Sequence, residues 1–149
     1  MKRKSLENDV CPVALSLEAA GDTWSMLMVR DAFTGKRRFG EFQRSLGVAK
    51  NILTVRLRKL VALGVLEQVP AADGSADRES ALTEKGRGLF HVLVALGQWG
   101  CGASAITLVD RKKGEPVRLE LRSGNGWTVG LDDVRLVLPA VDRAVDQKA

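Results

Sequence analysis

Two consecutive helical patterns, separated by a glycine-containing turn, constrain the fold of this chain more than any other feature. Apolar side chains at three- and four-residue spacing predict a short helix over residues 39–46. A tight turn at 47–49 separates it from a longer helix at 50–63, whose leucine stripe continues until Gly64 ends the pattern. The two patterns therefore predict two short helices that turn their apolar faces toward one core.

Two further helices precede this pair. Pro12 suits the first turn of a helix over 12–20, because a first-turn residue needs no N–H hydrogen bond. Asp22 is a good N-cap for the next helix, residues 23–33. Its side chains at three- and four-residue spacing predict that one face lies in the core.

A hairpin and a last helix follow the pair. Residues 65–69 and 78–82 read as two strands joined by a long, turn-rich tip. Thr83 is a plausible N-cap for a helix that runs to about Trp99 and is apolar on nearly every side. One small core cannot cover all sides of such a helix, so its second apolar face requires a partner.

The sequence pattern changes after residue 101. Short strand-like runs separated by turns predict a small β-rich C-terminal appendage over 102–149 with a frayed end. Together the elements predict a mainly α (α+β) fold, a winged helix-turn-helix with a two-stranded wing. The predicted organisation is a flexible basic N-terminus at 1–10, a DNA-binding and dimerisation domain at 11–101, and the appendage.

Positive charge is concentrated in one stretch. Residues 30–60 hold nine basic and two acidic side chains, a balance of +7, whereas the whole chain carries +5. The remaining segments are therefore close to neutral or acidic. A concentration of one sign is the expected footprint of a polyanion-binding surface, nucleic acid first, although an idle basic surface gives the same count.

Composition argues against most enzyme classes. The chain has one histidine and two distant cysteines, which leaves little for a zinc site, a disulfide framework or a nucleophile–histidine pair. It has no phosphate loop or nucleophile elbow, so we expect no enzyme, no cofactor and no metal. Without a long apolar run or a signal peptide, we expect a cytoplasmic protein without membrane partners.

Six short motifs follow one another along residues 11–100. They are Cys11-Pro12-Val13, Gly21-Asp22-Thr23-Trp24, Gly35-Lys36-Arg37-Arg38-Phe39-Gly40-Glu41-Phe42, Leu53-Thr54-Val55-Arg56-Leu57-Arg58-Lys59-Leu60, Gly64-Val65-Leu66-Glu67 and Leu82-Thr83-Glu84-Lys85-Gly86. In order and spacing they resemble the HxlR-type bacterial transcription regulators. The resemblance implies a dimeric DNA-binding repressor or activator, and some members respond to thiol-reactive or oxidising stress.

The chain departs from that family's pattern at three places. Thr23 stands where members usually carry Lys, and Ala49 stands where a Ser or Thr helix cap is usual. The wing tip contains more acidic than basic side chains, which weakens the case for strong wing contacts. In the tail, Lys113, Ser123 and Gly126 stand about where longer members carry paired cysteines of a metal-ribbon pattern.

The helix at 50–63 is the predicted recognition helix, because the second helix of a helix-turn-helix enters the major groove of DNA. Its outward residues would read bases, and arginines of the preceding helix and the wing would bind phosphates. Arg56 could instead pair inside the molecule with a carboxylate such as Glu41. The predicted DNA-binding residues are Arg37, Arg38, Arg44, Lys50, Asn51, Thr54, Val55, Arg56, Arg58, Lys59 and Arg78.

The last helix, with the first, is the predicted contact of a homodimer. A two-fold dimer would place its recognition helices about 34 Å apart and read an inverted repeat. The predicted interface residues are Leu15, Phe90, Leu93, Val94, Leu96 and Trp99.

The two cysteines are candidates for redox sensing. Cys11 stands at a helix N-terminus near Lys2, Arg3 and Lys4, a setting that stabilises thiolates, and Cys101 falls at the end of the dimer helix. The alternative is that both are small, easily buried residues. The predicted function is therefore a DNA-binding regulator, responsive to an oxidant or a small ligand. The alternative is an adaptor that binds protein or RNA through the same basic face.

Overall fold

The computed structural model describes residues 5–9, 11–101, 108–135 and 137. By its internal contacts the chain divides into two compact units, residues 19–119, and residues 1–18 together with 120–149. The regular elements are α1 (Pro12–Ala20), α2 (Thr23–Phe33), α3 (Phe39–Leu46), α4 (Lys50–Ala62), β1 (Leu66–Pro70), β2 (Arg78–Leu82), α5 (Glu84–Cys101) and a short 3₁₀ turn, Leu131–Asp133. This order confirms the predicted winged helix-turn-helix.

The core lies where the predicted inner faces of α2, α3 and α4 meet. Met28, Phe42, Leu53 and Leu60 are completely buried and belong to one apolar cluster, which also includes Leu66 of β1. Removing side chains of this size from water stabilises a fold by about 1.5–3 kcal/mol each. The cluster therefore holds α4 with its opposite face outward.

A left-handed glycine makes the turn between α3 and α4. Gly47 has φ +64°, and its N–H donates to the Gln43 carbonyl at 2.9 Å, which ends α3. Val48 is buried in the turn, and Ala49 begins α4 without a side-chain hydrogen bond at its N-cap. This agrees with the departure noted in the sequence, and it leaves the first N–H groups of α4 without a side-chain acceptor.

The wing is an antiparallel hairpin. Leu66 pairs with Leu82, and Pro70 pairs with Arg78, so the first strand lies one residue later than the sequence predicts. The pattern places Val65 in the strand, but its N–H donates back to the carbonyl of Leu60 at 2.9 Å and still belongs to the turn after α4.

The junction between the wing and α5 is tightly packed. Thr83 is the N-cap that the sequence predicts, since its hydroxyl accepts from the Gly86 N–H at 3.0 Å. The same hydroxyl donates to the Gly64 carbonyl at 2.5 Å. A Cβ at Gly86 would lie only 2.1 Å from the carbonyl oxygen of Val65, so glycine allows the close approach of α5 to this turn.

The predicted β-rich appendage does not form continuous strands within 108–135. Two isolated bridges, Val109 with Pro116 and Arg122 with Thr128, replace the strands predicted at 117–122 and 127–129. Alternating apolar side chains such as Leu121 remain exposed, so no buried face supports longer strands here. The strands predicted at 106–109 and 134–138 lie partly outside the described residues.

Candidate nucleic-acid interface

The exposed face of α4 contains most of the predicted base-reading residues. Lys50, Asn51, Val55 and Arg58 are exposed, because the buried leucines occupy the opposite side of the helix. Val55 is 58% exposed, so its methyl groups are accessible on this face. Amide, guanidinium and methyl groups are thus exposed on one helix face, and these are groups that contact the edges of DNA bases.

Ile52 is a residue of this face that the sequence prediction missed. Its side chain is 38% exposed, next to the predicted Asn51. Its position outside the leucine stripe is the signal that could have identified it, since 100° per residue turns it away from the core. Together with Val55 it adds a second apolar contact surface.

Thr54 is placed on α4 as predicted, but its hydroxyl is partly engaged. Its Oγ1 donates to the carbonyl of Lys50 at 2.8 Å, within its own helix. The hydroxyl proton is therefore unavailable in this rotamer, whereas the oxygen lone pairs can still accept. Thr54 is suited to contact a base-edge donor rather than an acceptor.

Arg56 and Lys59 lie at the side of α4 and face α2. Arg56 Nε lies 3.4 Å and Lys59 Nζ 3.7 Å from the carboxylate of Asp22, the N-cap of α2. The alternative in which Arg56 pairs with a carboxylate inside the molecule is therefore confirmed, with Asp22 and not Glu41 as the partner. Glu41 instead accepts from the Arg37 and Arg38 N–H groups at 2.8 and 2.9 Å and caps α3. Those hydrogen bonds lower the pKa of Glu41.

Asp22 therefore has two roles, helix cap and ion-pair partner. Burial raises its pKa, but hydrogen bonds from the Ser25 hydroxyl and N–H, at 2.6 and 2.9 Å, together with the charges of Arg56 and Lys59, lower the pKa of Asp22 overall. The carboxylate is thus held in its charged form.

The predicted phosphate-binding arginines before α3 contact the wing. Arg37 Nε lies 2.8 Å from Glu79, and Arg38 lies 3.4 Å from Glu79 and 2.5 Å from Asp73 at the wing tip. Glu79 is buried, and the Ser80 N–H of the same strand donates to the Arg37 carbonyl at 2.8 Å. Hydrogen bonds from the Ser75 N–H and from Arg38 strongly lower the pKa of Asp73.

The basic stretch is therefore partly neutralised inside the molecule. Arg30 and Lys36 pair with the buried carboxylate of Asp31, at 2.8 and 3.9 Å. With the pairs above, six of the nine basic side chains in residues 30–60 have a carboxylate partner. Within the described part of the chain, the three without one are Arg44, Lys50 and Arg58.

Arg38, Arg44 and Arg78 line a cavity of about 390 Å³, together with Glu41 and Asp77. Arg44 Nε donates to the Gly40 carbonyl at 3.3 Å, and Arg78 donates to the Gln68 carbonyl at 2.7 Å. Neither contact neutralises the guanidinium charge. These two arginines remain able to bind an anion.

The predicted dimer residues are exposed to different degrees. Trp99 is 87% exposed, and Phe90 and Leu96 are about half exposed on α5, whereas Leu93 packs against the core of its own chain. Val94 is half-buried, and Leu15 of α1 is 40% exposed. Val92, which the prediction omits, adds another exposed apolar side chain on α5.

The cysteine prediction is covered only in part. Cys11 is a free, half-buried thiol at the start of α1, and its N–H donates to the Asp9 carboxylate at 2.8 Å. An acidic group thus already occupies this helix start. The Cys101 side chain and the basic residues at 2–4 lie outside the described residues. Where the structure describes the chain, it holds no cluster of three or more metal-ligating side chains, and no helix long and apolar enough to span a membrane.

Comparisons with known proteins agree with this geometry. A family model described as HxlR-like helix-turn-helix matches residues 19–105. An uncharacterised HTH-type transcriptional regulator of Mycobacterium tuberculosis, MT3179, is 41% identical over 107 residues, which are 72% of this chain and 65% of that relative. The match therefore spans slightly less than two thirds of the relative's length.

Two solved structures extend the comparison. PA1607, a proposed transcription factor, is 51% identical with a TM-score of 0.81, and the match covers 90% of this chain and 99% of PA1607. The redox regulator HypR in its oxidised form is 30% identical with a TM-score of 0.56, covering 64% of this chain and all of HypR.

Proposed function

The chain belongs to the HxlR-like helix-turn-helix family, and from this membership and the exposed face of α4 we propose that it is a bacterial transcriptional regulator that binds double-stranded DNA. The observation that carries the proposal is the position of Asn51, Val55 and Arg58 together on the free side of the second helix of the helix-turn-helix. A helix in this position enters the major groove. As such a regulator, the protein would work in the cytoplasm.

Base reading is assigned to the exposed side chains of α4. Arg58 matches guanine O6 and N7 bidentately, and Asn51 matches adenine N6 and N7. Ile52 and Val55 match thymine methyl groups, while Thr54 accepts from a base amino group. Each good bidentate pair contributes about 1–3 kcal/mol of discrimination against the wrong base.

Phosphate binding is assigned first to Arg44, Lys50 and Arg78, which form no ion pair with a carboxylate among the residues that the structure describes. Arg37 and Arg38 must exchange Glu79 and Asp73 for phosphate. Each therefore contributes less to the number of counterions that the DNA releases on binding. Arg56 and Lys59 are paired with Asp22 and must likewise exchange it for phosphate.

A homodimer is proposed from the exposed apolar side chains of α5. Val92, Leu96 and Trp99 are exposed at four- and three-residue spacing on one face of α5. Phe90 lies on the opposite side, and its ring contacts Phe33. A row of exposed apolar side chains on one face is typical of an interaction site. Such a dimer reads an inverted repeat because its two-fold axis must match that of the DNA site. Sedimentation as a monomer at micromolar concentration would contradict this assignment.

Thiol regulation is proposed through Cys11 and, with it, Cys101. Support comes from the likeness to HypR, which is itself a redox regulator, and from the free, partly accessible thiol of Cys11. A bridge between subunits requires Cα atoms within about 7 Å. DNA affinity that does not change with diamide, in the natural chain and in Cys11→Ser alike, would remove this part of the proposal.

The test of the main proposal is a fluorescence-anisotropy titration of the purified full chain. The probes are the DNA flanking its own gene, a random duplex of equal length and a duplex RNA. We expect tighter binding to the flanking DNA, and loss of most of that preference in Arg58→Ala at roughly 1–3 kcal/mol.

Arg44→Ala is the matched control for charge. It should weaken specific and random duplexes alike and reduce the slope of log affinity against log salt by about one unit. Equal affinity for all three probes would instead favour the adaptor function, in which the same face binds RNA or protein.

A further inference from the structure

An apolar cavity lies between the side of α4 and the first wing strand. It has a volume of about 370 Å³, which falls within the range of small-molecule sites. Its walls come from α3, α4 and β1, all within residues 19–119. The lining residues are Phe39, Thr54, Leu57, Arg58, Val61, Ala62 and Gln68.

The lining divides into a hydrocarbon wall and a few polar groups. Phe39, Leu57, Val61 and Ala62 form the apolar wall. Gln68 donates through Nε2 to the Ser80 hydroxyl at 2.8 Å, so this amide is held in place. A mainly apolar cavity with a small number of polar groups is the usual composition of a ligand site.

The charge of this cavity determines which ligand it suits. Arg58 is the one ionisable side chain among the lining residues, and no carboxylate pairs with it in the described part of the chain. Most other basic groups of the 30–60 stretch have such a partner, so Arg58 stands out. A planar guanidinium binds a carboxylate with two parallel hydrogen bonds.

We propose that this cavity binds a small carboxylic acid with an aromatic or branched-hydrocarbon body, and that the bound acid competes with DNA for Arg58. The hydrocarbon body contacts the wall of Phe39, Leu57 and Val61, and the carboxylate pairs with the guanidinium. The second half of this inference rests on the proposed DNA-binding function, because Arg58 there reads a base. The first half does not.

The direct test uses 4-tert-butylbenzoate as the probe on the full chain. Amide shifts in ¹H–¹⁵N NMR spectra should move in a saturable way at Thr54, Val61, Ala62 and Gln68. The neutral analogue 4-tert-butylbenzamide should bind at least about tenfold more weakly, because it cannot form the charge-assisted pair. Acetate, which lacks the hydrocarbon body, should cause no saturable shift.

Three variants locate the site. Arg58→Gln should reduce benzoate affinity to that of the amide, and Ala62→Phe should fill the cavity and abolish binding of both probes. Arg87→Gln removes the same charge from an exposed position of α5, outside the cavity lining, and should leave benzoate binding unchanged. Thermal unfolding of each variant verifies that it folds. Saturable shifts that map elsewhere, or no saturable binding, would overturn the site.

The competition is tested with DNA in the same buffer. If the proposed function holds, the benzoate should lower duplex affinity of the natural chain, whereas duplex binding by Ala62→Phe should not respond. Benzoate binding without an effect on DNA affinity would overturn the competition. If the chain binds no duplex at all, the proposed function fails, and the NMR titration still decides the site.

Discussion

Gly86 carries the main stability prediction, because a side chain at this position would overlap the backbone of a neighbouring turn. An added Cβ would lie 2.1 Å from the Val65 carbonyl oxygen and 3.1 Å from Cδ2 of Leu82. The same carbonyl accepts the Thr83 N–H at 3.1 Å. Gly88 lies two residues further along α5, and apart from its chain neighbours and its own helix backbone no atom lies within 4 Å of its added Cβ.

The magnitude follows from the overlap. Carbon and oxygen atoms approach to about 3.3–3.6 Å, so Gly86→Ala requires α5 or the turn after α4 to move by more than about 1 Å. Overpacking of this kind usually costs about 1–3 kcal/mol, and the displaced turn also strains the hydrogen bonds of Thr83. Replacing a helical glycine by alanine otherwise stabilises by about 0.5–1 kcal/mol, a gain that both variants share.

We therefore expect Gly86→Ala to unfold at lower urea concentration than the natural chain, and Gly88→Ala at equal or higher concentration. Circular dichroism at one fixed protein concentration measures both, since dimerisation would make the midpoint depend on concentration. The difference between the two variants isolates the steric cost from helix propensity. Equal midpoints would refute the reasoning that this glycine is required for the junction between wing and α5.

Three further predictions concern the ion pairs and the cap. Asp73→Asn should leave Arg38 with only its longer contact to Glu79 and steepen the salt dependence of DNA binding by up to about one unit. Asp77→Asn is an equal change in charge at a carboxylate that forms no ion pair with the arginines in the described part of the chain, and should change the slope less. Because the pKa of Asp22 is lower in the folded chain, its charge stabilises fully above the ordinary carboxyl pKa of about 3.9 and loses this effect as pH falls through the folded pKa. The stability advantage over Asp22→Asn in urea titrations should therefore be constant near neutral pH and disappear in acid. Thr83→Val should lower stability by about 1 kcal/mol in thermal unfolding, and Thr83→Ser should keep most of it, since serine retains the hydroxyl.

Local patterns predicted the helices well. The leucine stripe of α4 and the glycines at 47 and 64 placed that helix within one residue of its observed end. The N-caps at Asp22 and Thr83 are also predictable from nearby residues. Each cap side chain accepts a hydrogen bond from the N–H three residues later in the chain. These features depend only on neighbouring residues.

Strand-like alternation was a weaker guide. The runs around Val117 and Leu121 alternate as a strand should, yet within 108–135 they form isolated bridges. Alternation indicates which side of a strand would be apolar, but a strand also needs a partner of matching length.

The sequence by itself determined the order of elements, the outward face of α4 and the concentration of positive charge in residues 30–60. Only the tertiary structure decided how much of that charge is free. Asp22 arrives from the start of α2, and Asp73 and Glu79 arrive from the wing, so carboxylates distant in sequence neutralise basic groups around the helix-turn-helix. Helical periodicity depends on neighbours three and four residues apart, whereas an ion pair depends on atoms within 4 Å wherever they lie in the chain. The charge count therefore located the basic surface. Only the fold showed that, within the described part of the chain, Arg44, Lys50 and Arg58 are its basic residues without a carboxylate partner.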